Sequence, residues 1–197
     1  MSRQLLESIR CENGEVLHLS YHQARLDSAL KDLHLNATYQ LKEHITPPDK
    51  ALYRCRVLYD AQTLHTQYLP YTKRSIKKLQ LIESNALNYN YKYADREALE
   101  LLYAQRGEAD DVLIVQDKLV TDTTIANIAF YNGKQWLTPQ KPLLEGTTRA
   151  RLLDEKKIVE AAIHVNELNA FTHFALLNAM IGFDLVKNGI ISPLKEG

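Results

Sequence analysis

Four short stretches of this sequence hold side chains whose types and spacing could do chemistry. The first is Asn90-Tyr91-Lys92-Tyr93-Ala94-Asp95-Arg96, a lysine between two tyrosines just ahead of a helix start. An amine buried beside aromatic rings loses proton affinity and becomes a better nucleophile toward carbonyl carbon. Read alone, the stretch is a solvated lysine at a strand end. The second, Val120-Thr121-Asp122-Thr123-Thr124-Ile125-Ala126-Asn127-Ile128, sets one carboxylate among threonines. An Asx-type turn would explain the same residues. The third, Leu144-Glu145-Gly146-Thr147-Thr148-Arg149, opens a helix. Its glycine lets backbone approach an anion, the helix dipole favours negative charge, and Thr147 and Thr148 supply N–H groups and hydroxyls. A helix cap with nothing bound is the plainer alternative. The fourth is His22-Gln23-Ala24-Arg25-Leu26. Arg25 falls at the border of a helix's apolar stripe, where arginines are solvated or snorkel unless an anion lies near.

The elements that must position these residues follow from periodicity and turn chemistry. Leu5 to Cys11 reads as a strand, Asn13-Gly14 as a hairpin turn, and Val16 to Leu19 as the returning strand. Ser20, three residues before Gln23, has capping-box spacing, and Leu26, Ala29, Leu30 and Leu33 share a helix face. A weaker helical segment from Tyr39 to His44 ends before Pro47-Pro48. Leu52 to Asp60 alternates, with Tyr53, Cys55 and Val57 on the inner side; Thr66 to Tyr71 and Ser75 to Glu83 are expected as its neighbours. Asn85 to Asn90 is a polar connection, which gives expected domains of 1–86 and 87–197, the lysine lying in the second.

Asp95 is expected to cap a helix to about Gln105, with Ala98, Leu99, Leu101 and Leu102 as its apolar face. Val112 to Val115 is a buried strand that returns at Leu119-Val120, and Ile128 to Leu137 forms a hairpin about Asn132-Gly133. The helix after Gly146 should run to about Lys157. Ile158 to Ile163, Phe174 to Leu177 and Phe183 to Val186 read as strands, Asn166 to Phe171 as a short helix, and Ile190-Ile191 as the return of a last hairpin. This irregular alternation with many tight hairpins argues α+β rather than a doubly wound parallel sheet.

Bulk composition excludes several classes. The formal net charge of +0 gives no bulk attraction to nucleic acid or anionic lipid. No stretch of about 20 apolar residues suits a membrane span. Met1-Ser2-Arg3-Gln4 lacks the apolar run of a secretory leader, and Cys11 and Cys55 read as reduced core thiols, so a cytoplasmic location is expected. The seven histidines show no close ligand spacing, so no metal is expected. No glycine-rich phosphate loop follows a strand.

Taken together, the four stretches and Trp136-Leu137-Thr138-Pro139 resemble the class IV aminotransferase family, from about residue 5 to about 186. The resemblance implies a two-domain, D-amino acid aminotransferase-like fold (pyridoxal phosphate fold type IV) and pyridoxal 5'-phosphate as cofactor. It implies that Lys92 carries the cofactor covalently and is the catalytic lysine. Asp122 stands where the family holds the pyridine nitrogen, Asn127 is a further cofactor-binding residue of the same motif, and Arg25, Thr147 and Thr148 stand where the family holds the phosphate. Asp122 departs from the glutamate usual there and is shorter by one methylene. The strand and Gly-Asp-Gly approach that the family places ahead of Leu5 have no counterpart in the sequence. A homodimer with a small-molecule amino substrate is implied as well.

Within that family, Asn178-Ala179-Met180 resembles the aminodeoxychorismate lyases more than the Gly-Thr segment of branched-chain transaminases. The implied reaction converts 4-amino-4-deoxychorismate to 4-aminobenzoate and pyruvate, a step of folate precursor synthesis, with Tyr91, Asn178 and Ala179 on the substrate side. An amino acid aminotransferase of branched-chain or D-amino acid type is the alternative. A third is a family member without catalysis that acts as a binding protein.

Overall fold

Leu5, Glu7, Ile9 and Cys11 face one side of β1 (Leu5–Glu12), and all four are buried. The chain turns at Asn13-Gly14, both with positive φ, into β2 (Glu15–Val16), which is only two residues long. The expected return to Leu19 is cut short because His18 adopts a left-handed conformation and α1 (Leu19–Asp32) begins there. Ser20 therefore lies inside the helix rather than capping it. Gln23 donates instead to Asp27 and to the Tyr39 carbonyl, and accepts from the Leu41 amide at the start of α2 (Leu41–His44). The structure, a computed structural model, describes residues 4–194.

β1 pairs antiparallel with β3 (Tyr53–Tyr59), and β3 with β4 (Leu64–Pro70), giving the order β2-β1-β3-β4. Leu26, Ala29 and Leu30 of α1 close over Leu5, Ile9, Cys11, Cys55 and Val57. Burying such side chains is worth about 1.5–3 kcal/mol each, which is what holds a helix on one face of this sheet. Both cysteines are free and buried in that core.

The chain divides at places the sequence does not mark. One unit comprises residues up to Lys73 together with Tyr91–Asp95; the other comprises Arg74–Asn90 and everything from Arg96. Two differences from the expected 1–86 and 87–197 have plain causes. The segment 75–83 is not a neighbour of β4: its strand, β5 (Lys78–Glu83), pairs in parallel with β6 (Asp111–Gln116). Lys92 belongs to the first unit because the Leu6 amide donates to the Lys92 carbonyl, and the Ala94 amide to the Gln4 carbonyl, along the edge of β1.

In the second unit β6 turns at Asp117-Lys118, both with positive φ, into β7 (Leu119–Thr123). With β5 and β13 (Ile190–Ser192) these strands form the sheet β13-β5-β6-β7. A second sheet, β10-β9-β8-β11-β12, comprises β8 (Asn127–Tyr131), β9 (Trp136–Pro139), β10 (Val159–Ala161), β11 (His173–Asn178) and β12 (Gly182–Val186). Leu79, Leu81, Leu113 and Val115 of the first sheet meet Ile128, Phe130, Phe174 and Leu176 of the second in one core. On the other face of the second sheet, Ala129, Ala175 and Leu177 pack against Leu152 of α4 (Thr147–Asp154).

Val165–Ala170 is a short 3-10 helix. Ile190–Ser192 is β13, and it does not return on β12 as a hairpin. It runs parallel to β5, and the close approach of Gly189 to Phe174, whose Cε1 would lie 2.2 Å from an added Cβ, lets the chain pass across. Helix α3 (Glu97–Ala104) has Arg96 at its N-cap, one residue past Asp95. It buries Leu99 and Leu102 but leaves Leu101 63% exposed, a narrower apolar face than expected. Lys156, with positive φ, stops α4 before Lys157. No helix among the described residues is long and apolar enough to cross a membrane.

Candidate functional site

The second unit joins two of the four stretches through one side chain. β7 ends at Thr123, whose amide donates to the Ala126 carbonyl, while its hydroxyl accepts from the Ala126 amide. This tight turn carries the chain from one sheet to the other and sets Asp122 beside Asn127, the first residue of β8. Asn127 Nδ2 donates to Asp122 Oδ1 at 2.8 Å and to the Leu144 carbonyl at 2.8 Å. The Leu144 amide donates to Asp122 Oδ2 at 3.0 Å. Asn127 also lies against the opening of α4, where a Cβ on Gly146 would come within 1.8 Å of Asn127 Oδ1. Only glycine fits there. Asp122, Asn127, Thr147 and Thr148 are thus buried around the opening of α4, with Gly146 half-buried among them.

Asp122 is not the Asx-turn residue of the plainer reading. Its carboxyl is buried, and that burial pushes its pKa up to about 7 against hydrogen bonds from Asn127 and Leu144 and the more distant charge of Arg149. Arg149 makes its own short contacts elsewhere. It pairs with Glu145 at 2.8 Å and Glu160 at 2.5 Å and donates to the Pro139 carbonyl at 2.9 Å. The arginine of the helix-opening stretch therefore anchors α4 to β9 and β10. The backbone N–H groups of the first turn of α4 have no acceptor within the helix, and Thr147 and Thr148 are its first two residues.

Asn178 ends β11. Its Oδ1 accepts from the Met180 and Ile181 amides, and its Nδ2 donates to the Ile125 carbonyl at 3.2 Å. The amide is committed to holding its own turn, with Ala179, against the turn that follows Asp122. Arg96 supports the same turn by donating to the Thr124 carbonyl at 2.7 Å.

In the first unit, Lys92 is half-buried between Tyr91 and Tyr93. The two rings meet edge to face at 6.1 Å and pack against the core under α1. Arg25 is neither solvated nor snorkelling. Its Nε and Nη2 donate to Glu7 Oε1 and Oε2 at 2.8 and 2.6 Å, and His22 Nδ1 lies 2.7 Å from Glu7 Oε2. Burial alone would raise the Glu7 carboxyl, but the Arg25 charge and the bonds from His22 and Arg25 hold it down at about 2. Glu7 and His22 were not among the residues singled out for chemistry. The signal available was a carboxylate at an inward position of an otherwise apolar strand face.

The class IV amino-transferase family model matches residues 4–188. The chain belongs to the class IV aminotransferase family. Members depend on pyridoxal phosphate, and the α+β architecture is that of pyridoxal phosphate fold type IV. An uncharacterised protein of Haemophilus influenzae is 35% identical over 184 residues, covering 90% of this chain and 98% of that protein. A crystal structure from Haemophilus somnus 129pt, described as a "putative 4-amino-4-deoxychorismate lyase", is 32% identical, with a TM-score of 0.84 over 92% of this chain and 98% of that one. A hypothetical aminotransferase from Mycobacterium tuberculosis in its PLP-bound form shares the fold at 16% identity, with a TM-score of 0.81 over 93% of this chain and 80% of that one.

Proposed function

We propose that this class IV enzyme is a lyase that converts 4-amino-4-deoxychorismate to 4-aminobenzoate and pyruvate. The observation that carries the cofactor side of this reading is Asp122. It is a buried carboxylate whose direct partners are neutral amides, so it has a place for a cation. A carboxylate has about four lone-pair sites, and two N–H bonds leave room for a pyridinium N–H. The residues fit pyridoxal phosphate on that ground. The reaction is supported by the likeness to the Haemophilus somnus protein along nearly its whole length and by the Asn178-Ala179-Met180 segment.

When bound, pyridoxal phosphate supplies an electron sink that lets an amino substrate lose a proton or a neighbouring substituent. Asp122 keeps the proton on the pyridine nitrogen, and Asn127 with the Leu144 amide fixes the Asp122 carboxyl. Arg25, Thr147 and Thr148 hold the phosphate. Lys92 would be the covalent anchor, and its Nζ, once the substrate amine has replaced it, would remove the proton from the substrate's ring carbon. The enolpyruvyl group leaves with its electron pair, the ring becomes aromatic, and the proton ends on the enol carbon of pyruvate. Tyr91 and Ala179 are assigned to the substrate by the family resemblance, and Asn178 acts by holding its turn. A cytoplasmic homodimer completes the reading, supported by family membership.

The test is a paired assay of purified protein. Supplied with 4-amino-4-deoxychorismate, it is expected to release pyruvate and 4-aminobenzoate in equal amounts, and Lys92→Ala is expected to release neither. Transfer between amino and keto acids without pyruvate release would replace the lyase by an aminotransferase. Neither activity, with no visible absorbance that depends on Lys92, would leave a binding protein.

A further inference from the structure

Glu7 is completely buried on the inward face of β1, between Leu5 and Ile9. An ionised carboxylate there is costly unless paired and hydrogen-bonded. α1 supplies both partners from one face, because His22 and Arg25 are three residues apart. The two arginine bonds use the Nε–Nη2 edge of the guanidinium against both carboxylate oxygens, a bidentate pairing that fixes the plane as well as the position of the group. His22 approaches Oε2 from another direction and keeps the carboxyl from turning. A carboxylate only accepts, so His22 carries its proton on Nδ1. Replacing such a cluster by apolar residues is often neutral or stabilising, so core stability is a poor explanation for it.

β1 serves a second residue. Its amide at Leu6 donates to the carbonyl of Lys92, one residue from Glu7 along the strand. One strand therefore sets the direction of the guanidinium and the backbone of the lysine. We infer that Glu7, steadied by His22, is a positioning residue that orients Arg25 as the cation for the phosphate of the cofactor. The inference rests on the reading of the site given above and deepens it: phosphate recognition depends on a carboxylate that need not touch phosphate itself.

The experiment compares pyridoxal phosphate with pyridoxal, which lacks the phosphate, by titrating cofactor-free protein and following the visible band. The ratio of the two dissociation constants isolates recognition of the phosphate from attachment at Lys92. Glu7→Gln is expected to shrink that ratio by about tenfold or more, since small displacements of a preorganised group have effects of this size. Pyridoxal alone should bind as it does to the wild type. Arg25→Lys should give a similar loss, and adding Glu7→Gln to it should change the ratio little further. A structural role would lower thermal stability and leave the ratio unchanged, and that result in folded Glu7→Gln overturns the inference. If Glu7→Gln does not fold, His22→Leu replaces it: a ratio reduced by a few-fold supports the inference, and an unchanged ratio overturns it. Failure of the wild type to form a band with pyridoxal phosphate at all would instead sink the proposed function.

Discussion

Two buried carboxylates, one in each unit, are pushed in opposite directions. Glu7 is held at about 2 and Asp122 is raised to about 7. Burial acts upward on both. The difference lies in what answers it: Glu7 has an arginine and a histidine in contact, whereas Asp122 has two amide donors and only a more distant arginine. The first is complete within the chain. The second is solvated by fixed dipoles and gains when a cation arrives. A buried acid without a contacting cation is thus a better pointer to a ligand than one in a finished ion pair.

The largest effect that would break this comparison is loss of the first carboxylate. Glu7→Ala leaves Arg25 and His22 without their acceptor, and an expected loss of about 3–5 kcal/mol is read by urea unfolding at pH 7. Because the folded Glu7 pKa is depressed, its stabilisation is present above the ordinary carboxylate range and fades as pH falls toward 2. The deficit of the variant should therefore shrink in acid. A deficit that is constant with pH would remove the ion pair from the account.

Asp122 should behave in the opposite sense. Its folded pKa is raised, so the folded state favours the proton, and stability falls as pH rises from about 4 through about 7. Between pH 5 and pH 8 the cofactor-free protein should lose about 3 kcal/mol from this group, at about 1.4 kcal/mol per pKa unit. Asp122→Asn should flatten that slope, and so should saturating pyridoxal phosphate, which would supply the cation.

Gly146→Ala is a smaller perturbation that sharpens the second half. The new methyl would displace Asn127 from Asp122 and Leu144, for an expected cost of about 2 kcal/mol. It should also move the pH dependence assigned to Asp122. Asn178→Ala removes bonds within one turn and should cost about 1 kcal/mol, leaving the pH behaviour of both carboxylates unchanged. Either variant with the other's pattern would show that the 122–127–146 cluster is not the unit described.

Local elements were legible because their causes are local. Asn13-Gly14 and Asn132-Gly133 carry their turn preference in two residues, and the alternation of Tyr53 to Tyr59 shows its inner face. Partnership was less legible. β5 has four consecutive buried residues, Leu79 to Ile82, and such a run says nothing about which strand lies beside it. The same holds for β13, whose parallel pairing across the unit is a long-range contact.

At the site, the lysine, the carboxylate and the glycine-threonine helix opening could be read as residue types at suggestive spacings. The linkage of the carboxylate to the helix opening could not, because it runs through Asn127 to the backbone of Leu144, and a backbone amide has no identity in a sequence. Glu7 was readable in principle, as a charge at a core position of β1. Its meaning appears only when α1 brings His22 and Arg25 over it.

The most direct test of the account is to load the protein with pyridoxal phosphate, reduce it with borohydride, and map the modified peptide by mass. The account predicts one stable adduct, on the peptide containing Lys92, accompanied by loss of the visible band. An adduct on a different lysine, or a band that borohydride leaves untouched, would contradict it.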